Sequence, residues 1–264
     1  MALKEELRIL NDFVSEEISV LSVYLNTNPA DPEQRNDAWK IHLKNQMRDI
    51  ELDVESRNDT SEMKLFKESK KKVIKEIESK QTDLNKGVII FASADPELWT
   101  VYYVQVPVKT SFHWGVRPEI EQLLYISTAY PKAGIILPAL DEVRILDTSM
   151  GVLTDELTYV FDPGNKQWKQ KKGVAYGSVR ASSAKHVDAY DDRIRENLLR
   201  FYKQMGTTVE RLKKERKWEE IHVSGEAELA NSFSGSLQKK PESCLYKNLN
   251  NSEPNKVLYE IFEI

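Results

Sequence analysis

The sequence predicts an α/β (α+β) protein of two domains, and three observations carry that reading. Short runs rich in β-branched and aromatic residues alternate with amphipathic segments at helical spacing. The chain has 264 residues, enough for two ordinary cores. Two hairpin beginnings also resemble each other: Gly87-Val-Ile-Ile-Phe-Ala and Gly134-Ile-Ile-Leu-Pro-Ala are each followed by Asp and then a new strand. A fresh strand pair starts a fresh sheet, which sets the expected boundary at Tyr130 to Ala133 and the domains at residues 1–131 and 132–264.

In the first domain, Leu7, Leu10 and Val14 predict a short helix over Leu3 to Val14, and Val20 to Leu25 reads as a strand. Asn26 to Asp37, with two prolines and several Asx residues, is an exposed loop. Trp39, Ile41, Leu43, Met47 and Ile50 then give a helix toward Val54. Leu65, Phe66, Val73, Ile74 and Ile77 give a second, over Glu62 to Leu84, so a helical hairpin is expected against a mixed sheet. Lys86 to Ala92 and Trp99 to Val106 are strands joined at Ala94-Asp95-Pro96-Glu97, with Pro where a type I turn favours it. Glu119 to Ile126 closes the domain as a short helix.

In the second domain, Gly134 to Leu137, Glu142 to Asp147 and Leu153 to Phe161 read as strands. A helix follows from about Val187, with Tyr190, Ile194, Leu198, Phe201 and Met205 on one face, and another runs through Val209 and Leu212. Strand Ile221 to Val223, helix Ala227 to Phe233, strand Leu245 to Leu249 and helix Asn255 to Phe262 complete a layered domain. Its first three strands look hairpin-connected, which makes its sheet mixed.

Composition limits function. The net charge of −4 and pI near 5.8 argue against indiscriminate nucleic-acid or membrane binding. The single cysteine, Cys244, excludes an intrachain disulfide. Met1 to Leu10 alternates charge with aliphatics, unlike a signal core, and the longest apolar runs are too short to span a bilayer. The expected location is cytoplasmic, with no membrane partner.

One segment departs from the acidic background. Gly164 to Val187 has no Asp or Glu and contains Lys166, Lys169, Lys171, Lys172, Arg180, Lys185 and His186. Read as a basic loop between a strand and a helix, it suits a polyanion. Lys169, Lys171, Lys172, Arg180 and Lys185 are candidate phosphate contacts, arginine as a planar fork and lysine as a point charge. Tyr176 and Trp168 are candidates for stacking on bases, or for anchoring the loop to its own domain. Gly177 permits close approach of backbone N–H groups to an anion, and also suits an ordinary turn. Ser178 offers a hydroxyl. His186 is the nearby base, or a packing residue one turn before Tyr190.

Two other clusters have structural readings beside functional ones. Lys213, Lys214 and Arg216 complement a helix C-terminus without a partner. Asp141, Asp147 and Asp155 tempt a Mg²⁺ reading, but their spacing follows ordinary turns. The scattered histidines His42, His113, His186 and His222 show no ligand spacing, so neither a metal nor a cofactor is expected.

Val20-Leu-Ser-Val-Tyr-Leu-Asn-Thr, Trp39-Lys-Ile-His-Leu-Lys-Asn, Phe91-Ala-Ser-Ala-Asp and Trp168 with Gly173-Val-Ala-Tyr, in that order, resemble the bacterial release-factor-like branch of the archaeo-eukaryotic class 1 release factor superfamily. From Gly134 on, the order of elements is similar to the middle domain of those factors. The resemblance implies a ribosome-associated protein that acts on or binds peptidyl-tRNA or rRNA near the peptidyl-transferase centre of the large subunit, in rescue or quality control. It places the basic loop where the family carries a Gly-Gly-Gln loop. Here Val174-Ala-Tyr-Gly-Ser-Val-Arg180 keeps one glycine, Gly177, and lacks the glutamine. That leaves open ester cleavage, cutting of the tRNA end and binding without chemistry, with Gly177, Ser178, Arg180 and His186 as the candidate catalytic set. The terminal domain that recruits a partner GTPase is expected to be missing. A cytoplasmic α/β domain with no RNA role also fits the acidic pI.

Overall fold

The computed structural model describes the backbone of residues 3–16, 19–94, 98–162, 165, 167–171 and 184–264, and their side chains apart from 35, 83 and 184–197. The chain divides into two compact units, Met1–Ala129 and Tyr130–Ile264.

In the first unit, strands β1 (Val20–Asn26), β2 (Gly87–Ser93), β3 (Trp99–Val104) and β4 (Ser111–Gly115) form a sheet in the order β3-β2-β1-β4. Helix α1 (Leu3–Asp12) precedes it, helices α2 (Ala38–Ser56) and α3 (Thr60–Ser79) connect β1 to β2, and α4 (Glu121–Ala129) follows β4. The sheet was expected to be mixed, but every pairing in it is antiparallel. A helical hairpin returns the chain to the end it left, so β2 runs back alongside β1; a single crossover helix would have made the pair parallel. The loop expected over Asn26 to Asp37 includes a 3₁₀ turn at Pro32–Asp37.

β4 is an addition to the expected elements. It is short and half-polar, and only Phe112 and Trp114 turn toward the core. Trp114 meets Phe66 edge-on at 5.2 Å and donates its indole N–H to buried Glu62 at 3.0 Å. Arg57, at the α2–α3 turn, holds the same Glu62 oxygen at 2.8 Å. The turn expected between β2 and β3 falls on residues 95–97, outside the described residues; Ser93 N–H to Leu98 O at 2.9 Å closes that hairpin.

The second unit has a six-stranded sheet, β5 (Ala133–Pro138), β6 (Glu142–Ser149), β7 (Val152–Asp162), β8 (Gln167–Gln170), β9 (Glu220–Ser224) and β10 (Ser243–Leu245), in the order β10-β9-β5-β6-β7-β8. β5 to β8 are antiparallel, whereas β5, β9 and β10 are parallel, so this sheet is mixed. Helices α5 (Ala184–Arg216) and α6 (Ala227–Ser234) pack on one face, through Leu198, Phe201, Tyr202, Met205, Val209 and Phe233. Val257 and Leu258 of α7 (Pro254–Phe262) cover Ile135, Leu137 and Leu146 on the other.

The two helices expected between Val187 and Leu212 are one continuous helix of 33 residues. Gly206 lies inside this helix although glycine is a poor helix former. Its role is close approach: a Cβ there would lie 2.6 Å from the carbonyl oxygen of Ser236. Gly134 answers a similar need, because a Cβ on it would lie 2.5 Å from the Trp218 ring.

Candidate nucleic-acid interface

The acid-free segment, read as a loop, contains a strand. Gln167–Gln170 forms β8 and pairs with the end of β7, Phe161 opposite Trp168 and Val160 opposite Lys169. The backbone N–H of Lys171 adds one more bond, to Thr158 O at 2.8 Å. Lysines and glutamines obscure this strand in the sequence; the legible signal was a lone tryptophan opposite Phe161.

Trp168 anchors the strand. Its ring meets Phe161 at 5.4 Å and stacks on Tyr202 at 6.4 Å, and its indole N–H donates to Phe201 O at 2.8 Å. Tyr202 in turn donates to Ala139 O at 2.8 Å. Of the two roles weighed for Trp168, packing on its own domain is the one the geometry displays. β8 is thereby fixed at the level of Phe201, whereas α5 begins at Ala184, roughly 25 Å farther along the helix axis at 1.5 Å per residue.

Two candidate phosphate contacts are engaged within the domain. Lys169 Nζ lies 2.6 Å from Asp162 Oδ2, and Lys171 Nζ lies 3.3 Å from Glu142 Oε2. The hydrogen bond from Lys169, with others from Asn165, holds the Asp162 carboxyl well below the usual carboxylate range. Both pairs are partly open to solvent, where ion pairs are weak, so a phosphate can compete for either lysine. Lys172, Tyr176, Gly177, Ser178 and Arg180 lie outside the described residues. Lys185 and His186 fall in the first turn of α5, and their side chains lie outside the described set.

The aspartates that tempted a metal reading have other partners. Asp147 is 2% exposed and sits opposite Asp155 across the β6–β7 ladder. Its carboxylate accepts from Trp218 Nε1 at 2.7 Å and from Arg216 Nη1 at 3.1 Å, while Arg216 Nη2 reaches Asp155 at 2.7 Å. One guanidinium therefore bridges two carboxylates that would otherwise repel, and those bonds, led by Asp155, push the Arg216 pKa up. Arg216 is thus part of the domain's own framework, while Lys213 and Lys214 share with it the last turn of α5. Among the described residues, no three His, Cys, Asp or Glu side chains gather as a metal-holding group. Among them too, no helix is long and apolar enough to cross a membrane.

In the sequence His222 is one of four scattered histidines with no ligand spacing. The structure buries it on β9, with Nδ1 2.8 Å from Ser243 Oγ. Alternation on β9 was the available signal, since Ile221 and Val223 claim one face and leave His222 to the other.

The candidate segment thus has one strand, β8, held to a layered α/β domain, and its last residues fall in the first turn of the long helix α5. The family model for bacterial archaeo-eukaryotic release factor family 5 matches residues 131–263, and the chain belongs to that family. It is 27% identical over 244 residues to the uncharacterized protein YocB of Bacillus subtilis (strain 168), covering 92% of each chain. Among solved structures it is similar to an archaeal translation termination factor, aRF1, with a TM-score of 0.37 and 12% identity, over 98% of this chain and 72% of that one. A second, described only as an archaeal protein, has a TM-score of 0.36 and 12% identity, over 99% and 72%.

Proposed function

We propose that this protein carries its basic segment, residues 164–187, to RNA at the peptidyl-transferase centre of the large ribosomal subunit, on peptidyl-tRNA or rRNA, in ribosome rescue or quality control. Membership in a release-factor family supports a translation-related role, and the matched region spans the whole basic segment together with the strand and helix that flank it. That coincidence is the observation that carries the reading. In an acidic chain, a local acid-free stretch supplies counterion release on binding phosphate without a globally basic surface.

Chemistry at this segment would need substitutes for the absent glutamine. Backbone N–H groups around Gly177 and the Arg180 guanidinium would stabilise negative charge developing at a cleaved ester or phosphodiester, with Ser178 or His186 moving a proton. The missing glutamine favours a second reading, in which the same segment occupies the site without cleaving anything. Wild type should therefore be compared with Gly177→Val, Arg180→Ala and His186→Ala on large subunits carrying peptidyl-tRNA, resolving ester cleavage from cutting of the RNA end. Weak or absent ester hydrolysis by wild type is expected. Rapid release that survives all three substitutions would overturn the site assignment.

A further inference from the structure

The face of β9 opposite Ile221 and Val223 carries Glu220, His222 and Ser224 beneath α7. His222 is 5% exposed. It lies opposite Ser243 in the parallel β9–β10 ladder and opposite Ile135 in the β5–β9 ladder. Nδ1 shares a proton with Ser243 Oγ at 2.8 Å. Phe262, the last residue of α7, covers the imidazole edge-on at 5.2 Å, and Tyr130 braces Phe262 in the same manner at 6.2 Å.

The other nitrogen, Nε2, is left over. Glu220 Oε2 is only 3.2 Å away but out of hydrogen-bonding alignment, so Nε2 has no bonded partner in this seat. The charged groups around the ring come from several elements. Glu220 shares its strand, and Glu242 leads into β10; Glu219 and Lys213 act on Glu220 in turn. On α7, Glu260 is taken up by Lys247. Burial pushes the imidazole below its ordinary value, with Glu242 pulling weakly the other way, and burial with Glu242 pushes the Glu220 carboxyl up.

We propose that His222 is a proton-operated latch for α7: the neutral ring seals the seat of Phe262, and its protonation releases the helix from the sheet. A charged ring needs water or an aligned carboxylate, and the seat offers apolar Ile135 and Phe262 with Glu220 misaligned. Lifting α7 lets water reach the ring. The opening equilibrium should then take up one proton, rising up to about tenfold per pH unit below an open-state value near 6.5. This device stands apart from the basic segment and does not depend on what that segment binds.

The test is amide hydrogen exchange of residues 257–262 in the full chain from pH 8 to pH 5, corrected for intrinsic exchange, in wild type, His222→Asn and Glu242→Gln. Opening should increase about tenfold per unit below roughly pH 6.5 in wild type and stay level in His222→Asn. In Glu242→Gln the loss should continue to lower pH, because a carboxylate that favours the charged ring has gone. A level wild-type profile, or the wild-type slope persisting in His222→Asn, overturns the latch. Should His222→Asn fail to fold, the wild-type imidazole can be titrated by NMR. A closed-state midpoint below 6.5 supports the proposal, and one at or above it overturns it.

Discussion

Trp218 donates its indole N–H to the buried carboxylate of Asp147 at 2.7 Å, and the same carboxylate is held by Arg216. Trp114, Glu62 and Arg57 repeat the arrangement in the other unit. In each, an arginine at a helix end and a tryptophan from outside that helix converge on one buried acid. Asp147→Ala leaves the Trp218 N–H and Arg216 Nη1 without their acceptor, while Arg216 Nη2 keeps Asp155, so it should destabilise by about 1–3 kcal/mol. Asp147→Asn keeps an acceptor and should cost less. Thermal unfolding that ranks the two variants the other way would contradict this account of the cluster.

Trp168 joins β8 to α5 through both its ring and its N–H. Trp168→Phe retains most ring contacts and loses the bond to Phe201 O, at about 1 kcal/mol; Trp168→Ala also loses the stack on Tyr202 and should cost about 2–4 kcal/mol. Exchange of the β8 amides should accelerate in the same order. Equal exchange in all three proteins would show that Trp168 does not hold the strand.

Gly206 gives a test in which two effects have opposite sign. Alanine is favoured over glycine inside a helix by about 1 kcal/mol, but its Cβ would meet the Ser236 carbonyl at 2.6 Å, and backbone must move. The steric term should win, so Gly206→Ala should lower Tm. A higher Tm would mean that the loop at Ser236 yields freely.

The pH dependence at the alkaline end follows from buried tyrosines. Burial raises the pKa of Tyr202 and of Tyr24, whose hydroxyls donate to Ala139 O and Glu119 O. A folded-state value above the unfolded one of about 10 means the stabilisation is complete below pH 10 and lost as pH rises beyond it. Stability measured by denaturant should fall above pH 10, and Tyr202→Phe should reduce that slope. An unchanged slope would contradict the assignment.

The hairpins of both sheets, the α2–α3 pair and the apolar stripe of α5 were legible because periodicity and turn chemistry are local signals. β4 and β8 were not, since edge strands that face the core with one or two aromatics lack the alternation of a longer strand. The antiparallel pairing of β1 with β2 depends on the number of intervening helices, and the continuity of α5 on what Gly206 touches. Neither is a property of a short window. For the basic segment, the sequence displays its charge while hiding that Lys169 and Lys171 already face Asp162 and Glu142. His222 was hidden for the same reason: its partners come from β10 and α7.

The proposed function requires the segment from Gly164 to Val187 to bind RNA phosphate on the ribosome. Co-sedimentation with large subunits across a salt series, comparing wild type with the Lys171→Ala, Lys172→Ala, Arg180→Ala, Lys185→Ala quadruple variant, measures it most directly. Four lost contacts should lower affinity and reduce the slope of log affinity against log salt by about 3. An unchanged affinity and slope would contradict the claim.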